Sequence, residues 1–121
     1  MLITDEYLEF QDKYIKIYGE NTIVLMQVGS FFECYAVDNE KEQSNNTRLQ
    51  HIADILNIQK TKKDKKKQEI NRSNPLMLGF PIWSLDKFTQ ILINNFYTII
   101  LVEQITEPPN CKRDVTKIIS P

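Results

Sequence analysis

Residues 23–35, which read IVLMQVGSFFECY, contain the most informative structural pattern in the chain. Ile23–Val28 is a short apolar run rich in β-branched residues, which is typical of a buried strand. Only Gly29 and Ser30 separate it from a second such run, Phe31–Tyr35. A two-residue connection between two strands predicts a tight β-hairpin. Glycine at its first position favours a type II′ turn, because glycine takes positive φ without a steric penalty.

Side chains in the second strand of this hairpin alternate between the two faces of the sheet. Phe31, Glu33 and Tyr35 therefore share one face, and Phe32 and Cys34 share the other. The second face is predicted to be the core face, because both of its side chains are readily buried whereas the first set contains a carboxylate. We therefore expect an exposed Phe31 beside Glu33 at the end of a tight turn.

Further periodic segments extend the hairpin into an α/β fold. Apolar residues recur at helical spacing in three places, and short apolar runs indicate three more strands. The predicted helices run from an N-cap at Thr4 to Gly19, over 49–56 as far as Asn57, and onward from a cap at Ser84. The predicted strands cover 75–81, 97–102 and 115–119, and the uninterrupted apolar run of 97–102 indicates a strand central in the sheet. The order predicts a mixed β-sheet with flanking helices, in a single domain over residues 1–121.

The charge is unevenly distributed along the chain. The formal net charge is only −1, yet residues 59–73 hold seven of the 15 basic residues and two of the 16 acidic ones. With a single apolar residue, this segment is predicted to be a solvated, mobile loop. It is either a solubilising surface loop or an arm that contacts phosphates.

Several classes of protein are excluded or disfavoured by the composition. No apolar run is long enough to span a bilayer and no signal peptide opens the chain, so we expect a soluble, intracellular protein without a membrane partner. Two cysteines and one histidine are too few for a disulfide framework or a metal site, and free thiols are expected. The sequence contains no P-loop and no nucleophile, zinc or paired acid–base motif, so no catalytic residues and no cofactor are predicted within it.

The exposed Phe31 has two interpretations. It is either a hairpin-tip aromatic half-covered by a neighbouring loop, or a wedge that enters the minor groove of DNA between base steps. Unstacking a step costs a few kcal/mol, and less where the pair is already mismatched. Near phosphates, the Glu33 carboxylate either disfavours binding to normal DNA or takes up a proton and hydrogen-bonds a base as a neutral acid.

At this hairpin the chain resembles a known family. Residues 29–33, GSFFE, are similar to the Gly-x-Phe-(Tyr/Phe)-Glu motif in the N-terminal mismatch-recognition domain of MutS-type DNA mismatch repair proteins. The resemblance covers Tyr7 to Pro121 and includes, in the family's order, Leu56-Asn57-Ile58 leading to Thr61-Lys62-Lys63, then Met77–Pro81, Val102–Ile105 and Ile118–Pro121. Two departures are the serine at position 30, where an acidic residue is usual, and a longer and more basic lysine run.

The resemblance implies a MutS domain I-like fold and a specific set of DNA contacts. Phe31 would stack on a mispaired or unpaired base from the minor groove and Glu33 would hydrogen-bond it. Met77 would line the groove nearby, Lys62 and Lys63 would approach the backbone, and Gly29 would form the turn that presents Phe31. The implied partner is double-stranded DNA with a mismatch or a small loop.

The resemblance also implies a larger protein around this chain. The domain itself would be non-catalytic and part of a longer polypeptide, which would dimerise and bind ATP and Mg in a distant ATPase domain. The alternative is a structural or protein-interaction module of a MutS-like clamp that lacks mismatch-specific binding. Exposure of the Phe31 ring would count against that alternative.

Overall fold

The computed structural model describes residues 1–44 and 48–121, which form three α-helices and six strands. The helices are α1 Ile3–Tyr18, α2 Leu49–Leu56 and α3 Leu85–Asn94. The strands are β1 Thr22–Val28, β2 Phe31–Ala36, β3 Thr61–Lys62, β4 Leu76–Pro81, β5 Thr98–Gln104 and β6 Arg113–Ile119. A short 3₁₀ helix, Ile82–Ser84, joins β4 to α3. None of these helices combines the length and apolar character needed to cross a bilayer.

The strands form one mixed sheet in the order β3-β4-β2-β1-β5-β6. Strand β1 pairs antiparallel with β2 and parallel with β5, and the other neighbours are antiparallel. The predicted α/β fold, a mixed sheet with flanking helices, is confirmed. The predicted position of β5 is corrected: it lies one strand in from an edge, while β2 and β1 occupy the middle. Residues 99–102 of β5 are nevertheless buried, and α3 packs against this strand.

The hairpin opens away from its turn, and α1 fills the opening. Strands β1 and β2 pair only from Val28 back to Met26. Beyond that point the fully buried Gln11 replaces the missing strand: its Nε2 donates to Thr22 O at 2.8 Å, and its Oε1 accepts from Val24 N at 2.9 Å. Tyr7 Oη donates to Val24 O at 2.9 Å. Side chains of α1 thus satisfy a buried strand edge that would otherwise be unpaired.

Both faces of β2 are covered within the core. On one face Phe32 contacts Phe80, with ring centroids 6.1 Å apart, and Phe80 contacts Phe88 of α3 at 4.6 Å. On the other face Tyr35 is fully buried, and its ring meets Tyr7 edge-on at 5.5 Å. The prediction that only the Phe32 and Cys34 face is buried is therefore wrong at Tyr35. Strand alternation correctly placed Tyr35 on the face of Phe31 and Glu33, but it could not indicate that α1 covers this face at Tyr35.

One predicted helix cap is also corrected. Helix α1 begins at Ile3, and Thr4 is buried in its first turn rather than capping it. The carboxylate of Asp5 accepts the Leu2 N–H at 3.3 Å instead. Gly19 does end the helix, with φ +98°, as predicted.

The basic segment 59–73 has more structure than the predicted loop. Thr61 and Lys62 form β3 against β4, and the buried Asn74 ties the turn together. Its Nδ2 donates to Glu69 O at 2.9 Å and its Oδ1 accepts from Asp64 N at 2.8 Å. The expectation of a loop throughout is therefore wrong. Few apolar residues are needed here, because backbone pairing and a buried amide supply the order.

Arg72 anchors this segment to the rest of the fold by two ion pairs. Its guanidinium lies 2.9 Å from Asp5 Oδ1 and 2.6 Å from Glu42 Oε2. The hydrogen bonds from Arg72 hold the pKa of each carboxyl below its ordinary value, and the two carboxylates raise the pKa of Arg72. The segment is thus pinned both to α1 and to the loop that follows β2.

Replacing Arg72 with alanine is expected to loosen the segment at neutral pH. Depressed carboxyl pKa values stabilise the fold above the ordinary values of 3.8 and 4.5, and that contribution is lost as the pH falls below them. Protection factors of the amides of residues 63–74 should fall by about fivefold at pH 7, consistent with exposed ion pairs, and by progressively less as the pH falls through the lowered pKa values of the two carboxyls. Lys65→Ala is the control. Equal protection in Arg72→Ala and wild type at pH 7 would contradict the prediction.

Candidate nucleic-acid interface

A rigid two-residue turn presents the candidate site. Val28 and Phe31 are paired across it, Gly29 has φ +61°, and Ser30 is not among the residues with positive φ. These signs agree with the predicted type II′ turn and exclude type I′, which needs two positive values. Ser30 O accepts a hydrogen bond from Ile82 N at 2.9 Å, so the 3₁₀ helix braces the turn.

The first residue after the turn has the exposure that alternation predicts. The Phe31 side chain is 43% exposed, whereas Phe32 is 3% exposed. Phe31 pairs across the β2–β4 ladder with Pro81, which has no polar side-chain group and no backbone N–H. An aromatic ring is therefore held at the end of a paired strand, where its backbone is fixed and much of its surface is open.

Glu33 lies on the same face, one strand pitch further along β2, and it has an unpredicted partner. Tyr35 Oη donates a hydrogen bond to Glu33 Oε1, and Lys63 Nζ donates to Tyr35 Oη at 3.2 Å. The ammonium also lies 5.0 Å from the centroid of the Tyr35 ring. Burial, followed by the neighbouring carboxylate, raises the pKa of Tyr35, so its phenol stays protonated at physiological pH.

A shallow groove of about 410 Å³ connects the predicted residues. It is lined by Phe31, Glu33, Ile58, Gln59, Thr61, Met77, Leu78 and Gly79. Gly79 stands opposite Glu33 in the β2–β4 ladder, and a Cβ built on it would lie 3.2 Å from Glu33 Cγ. The glycine therefore leaves the space that the glutamate side chain occupies.

The structure brings together most, but not all, of the predicted site residues. Phe31, Glu33 and Met77 line one groove, and Lys63 reaches it through Tyr35. Lys62 is paired with Leu76, one residue out of phase with the Thr61–Met77 pair, so it belongs to the opposite face of the sheet. Lys62 and Lys63 therefore point to opposite faces of the sheet, because adjacent strand residues alternate, and their predicted approach to the DNA backbone stays a prediction.

Sequence reasoning missed three features of this region. Tyr35 donates a hydrogen bond to Glu33, and Gly79 lies opposite it in the neighbouring strand. The sequence alone does not reveal the strand register that pairs Gly79 with Glu33. Trp83, 78% exposed, follows the Ile82 amide that braces the turn, and lies near Phe32 and Gln27 on the other side of the sheet from the groove. Exposed tryptophan is unusual enough in a globular fold to have been a signal.

Neither metal nor thiol chemistry is suggested by the part of the chain that the structure describes. Residues 1–44 and 48–121 contain no group of three or more His, Cys, Asp or Glu side chains that could hold a metal ion. Cys34 and Cys111 are both free, as predicted. Burial raises the pKa of Cys34 to about 12, so it remains a thiol.

The sequence matches a family model described as MutS domain I over residues 7–121. It is 28% identical, over 116 residues and 95% of this chain, to a DNA mismatch repair protein mutS homolog of Acanthamoeba polyphaga mimivirus. It is 33% and 32% identical to the DNA mismatch repair proteins MutS of Staphylococcus epidermidis and Staphylococcus aureus, over 90% of this chain. The matched part is 10% of the mimivirus protein and 12% of each staphylococcal protein, so the chain spans about a tenth of these curated relatives.

Proposed function

The chain belongs to the MutS domain I family, and on that premise we propose that it recognises mismatched or unpaired bases in double-stranded DNA during DNA mismatch repair. Phe31 enters from the minor groove and stacks on the base, and Glu33 hydrogen-bonds it. The observation that carries this proposal is an exposed aromatic ring and a carboxylate on one face, beside one groove, at the end of a braced hairpin.

The energetics of insertion support discrimination by Phe31. An apolar wedge must unstack a base step, at a cost of a few kcal/mol, and a mismatched pair has already lost part of that stacking and pairing. The ring gains the same stacking in either duplex. The difference in unstacking cost therefore becomes a difference in affinity, provided that the ring is positioned before binding. Strand pairing of Phe31 and the hydrogen bond from Ile82 N to Ser30 O fix the backbone that carries the ring.

Glu33 adds selectivity because it is the wrong charge for DNA. A carboxylate near phosphates weakens binding to a normal duplex, where no base group compensates for it. At a disturbed pair it can accept from a base N–H or, after taking up a proton, donate to a ring nitrogen. Both alternatives favour the disturbed pair over a normal one, and both need the carboxyl group to stay next to the ring.

The proposal includes a larger protein. The domain is non-catalytic in this proposal, and other domains of a longer, dimeric polypeptide hold and bend the duplex. An ATPase domain of that polypeptide supplies ATP and Mg chemistry. The runner-up function, a clamp module without mismatch-specific binding, has less support, because the Phe31 ring is open rather than packed inside this fold.

The decisive experiment compares two duplexes that differ by one mispair. The intact protein that contains this chain should bind the mispaired duplex at least about tenfold more tightly, which corresponds to roughly 1.4 kcal/mol. Fluorescence anisotropy with labelled duplexes in the same buffer measures both affinities. Equal affinity for a series of mispairs and single-nucleotide loops would overturn the proposal in favour of the clamp module.

The exposed lysines of the basic segment are expected to supply affinity without selectivity. Replacing Lys65, Lys66 and Lys67 with glutamine should reduce the steepness of log Kobs against log salt by about two to three, if each contacts one phosphate. The ratio of mispaired to paired affinity should change little, since phosphate contacts carry no base information. The control replaces three lysines outside the segment, Lys87, Lys112 and Lys117. An unchanged salt slope in the Lys65–Lys67 variant would leave the segment as a solubilising loop.

A further inference from the structure

We propose that Tyr35 is a positioning residue for Glu33: its hydroxyl holds one carboxylate oxygen and leaves the other free to contact the base. This inference rests on the proposed function, since it assigns Glu33 the base contact. It adds a residue on which the selectivity of the site depends, two positions beyond the Gly-x-Phe-Phe-Glu motif.

The Tyr35 hydroxyl is itself fixed before any ligand binds. The ring is fully buried, and Tyr7 packs edge-on against it at 5.5 Å with an interplanar angle of 83°. Lys63 covers it from another direction, with its ammonium 5.0 Å from the ring centroid. Contacts on two sides restrict the ring, so its hydroxyl is a positioned donor to Glu33, which lines the groove.

The direction of each hydrogen bond follows from the chemistry of the three groups. The Lys63 ammonium has donors and no acceptor, so Tyr35 Oη must accept from it. The phenolic hydrogen is then available for the carboxylate, and it points to Glu33 Oε1. The raised pKa of Tyr35 agrees with this direction, because the phenol keeps its proton. Lys63 thus acts through Tyr35 on Glu33.

The hydroxyl distinguishes the two carboxylate oxygens. Oε1 accepts from Tyr35 whether Glu33 is ionised or protonated, since a neutral acid still has an acceptor oxygen. Among residues 1–44 and 48–121, no hydrogen-bond donor reaches Oε2. A proton taken up by Glu33 would therefore reside on Oε2, and Oε2 is the atom that would accept or donate at a base. A fixed oxygen loses less freedom on binding than one on a freely rotating side chain.

Strand β4 supports the same arrangement from the opposite side. Gly79 faces Glu33, and any Cβ at that position would lie 3.2 Å from Glu33 Cγ and 3.1 Å from Phe32 O. Met77 faces Tyr35 in the next pair on that face. The bare backbone opposite the glutamate therefore gives its side chain room to extend along the strand toward the hydroxyl.

The test removes only the hydroxyl, in the intact protein. Tyr35→Phe should lower the ratio of mispaired to paired affinity by about fivefold, the value of one hydrogen bond, with an unchanged salt slope. In a Glu33→Ala background the same substitution should have no further effect. Tyr97→Phe is the matched control, because it removes another buried hydroxyl, bonded to His51 rather than to the site. A ratio within about twofold of wild type, or an equal fall in both backgrounds, would overturn the proposal.

A second readout needs no DNA and separates the two proposals. In crystals of the DNA-free intact protein, Glu33 should be ordered in wild type and should change rotamer or lose side-chain density in Tyr35→Phe. An unmoved, ordered Glu33 in the variant would overturn its positioning by Tyr35. Failure of the proposed function has a different signature, because wild-type protein would then show no preference for mispaired duplex.

Discussion

Replacing Phe31 with alanine is expected to abolish most of the preference for mispaired over paired DNA while leaving bulk binding nearly intact. Stacking of a base on an aromatic ring is worth about 1–3 kcal/mol by alanine substitution, which is roughly a fivefold to hundredfold change in affinity. The mispaired duplex should lose that amount. The paired duplex should lose little, since the cost of unstacking it cancels the gain from inserting the ring.

The salt dependence distinguishes this loss from a general loss of binding. Because the lysines of the basic segment are unchanged in Phe31→Ala, the slope of log Kobs against log salt should be that of wild type. The fold should also survive, because a ring that is 43% exposed contributes little to the core. Anisotropy titrations of both duplexes at several salt concentrations measure preference and slope together.

Phe96→Ala is a matched control for Phe31→Ala. Phe96 is 74% exposed and lies just before β5, whose first residue pairs with Thr22 at the far end of β1 from the hairpin turn. The Phe96→Ala substitution therefore removes an exposed phenylalanine ring remote from the groove, and it should leave the preference for mispaired DNA unchanged. If Phe31→Ala kept the full preference, or if Phe96→Ala lost it equally, the wedge role of Phe31 would be wrong.

The sequence predicted the parts of this fold that depend on residues close together in the chain. The hairpin 23–35, its turn and the opposite exposures of Phe31 and Phe32 follow from strand alternation and from the conformational freedom of Gly29. Tyr35 obeys the same alternation, but its burial depends on Tyr7, 28 positions earlier in the chain. Such a contact requires the packing of α1 across the open hairpin, which no pattern within the strand encodes.

Strand register explains the remaining errors. A two-residue edge strand such as β3 has no periodicity to detect, and the lysines around it are typical of a solvated loop. Yet its pairing decides that Lys62 and Lys63 diverge and that Thr61 joins Met77 beside the groove. The family resemblance supplied the candidate site residues, and three-dimensional pairing determined which of them face the same way. The register also explains Gly79, since it places this glycine opposite Glu33, where a Cβ would crowd the glutamate side chain.

Gln11→Leu is expected to be the most destabilising single substitution outside the apolar core. The change keeps the size of the side chain but removes the donor to Thr22 O and the acceptor for Val24 N, both in a fully buried environment. Each unsatisfied buried backbone group costs about 1–3 kcal/mol, so the free energy of unfolding should fall by about 3 kcal/mol. That loss should lower the Tm by roughly 10 °C for a domain of this size.

Gln90→Leu tests whether the effect comes from the strand edge rather than from the loss of a glutamine in a helix. Gln90 is exposed on α3 and donates to Asn94 Oδ1 at 3.0 Å, so its replacement should change stability by less than about 0.5 kcal/mol. Urea unfolding of the two variants and the wild-type chain, followed by circular dichroism, gives the comparison. A loss below about 1 kcal/mol in Gln11→Leu would mean that water enters the opened hairpin and satisfies β1. In that case the hydrogen bonds from α1 to β1 would not be needed to order the hairpin, and the pairing of β2 with β4 would support the groove.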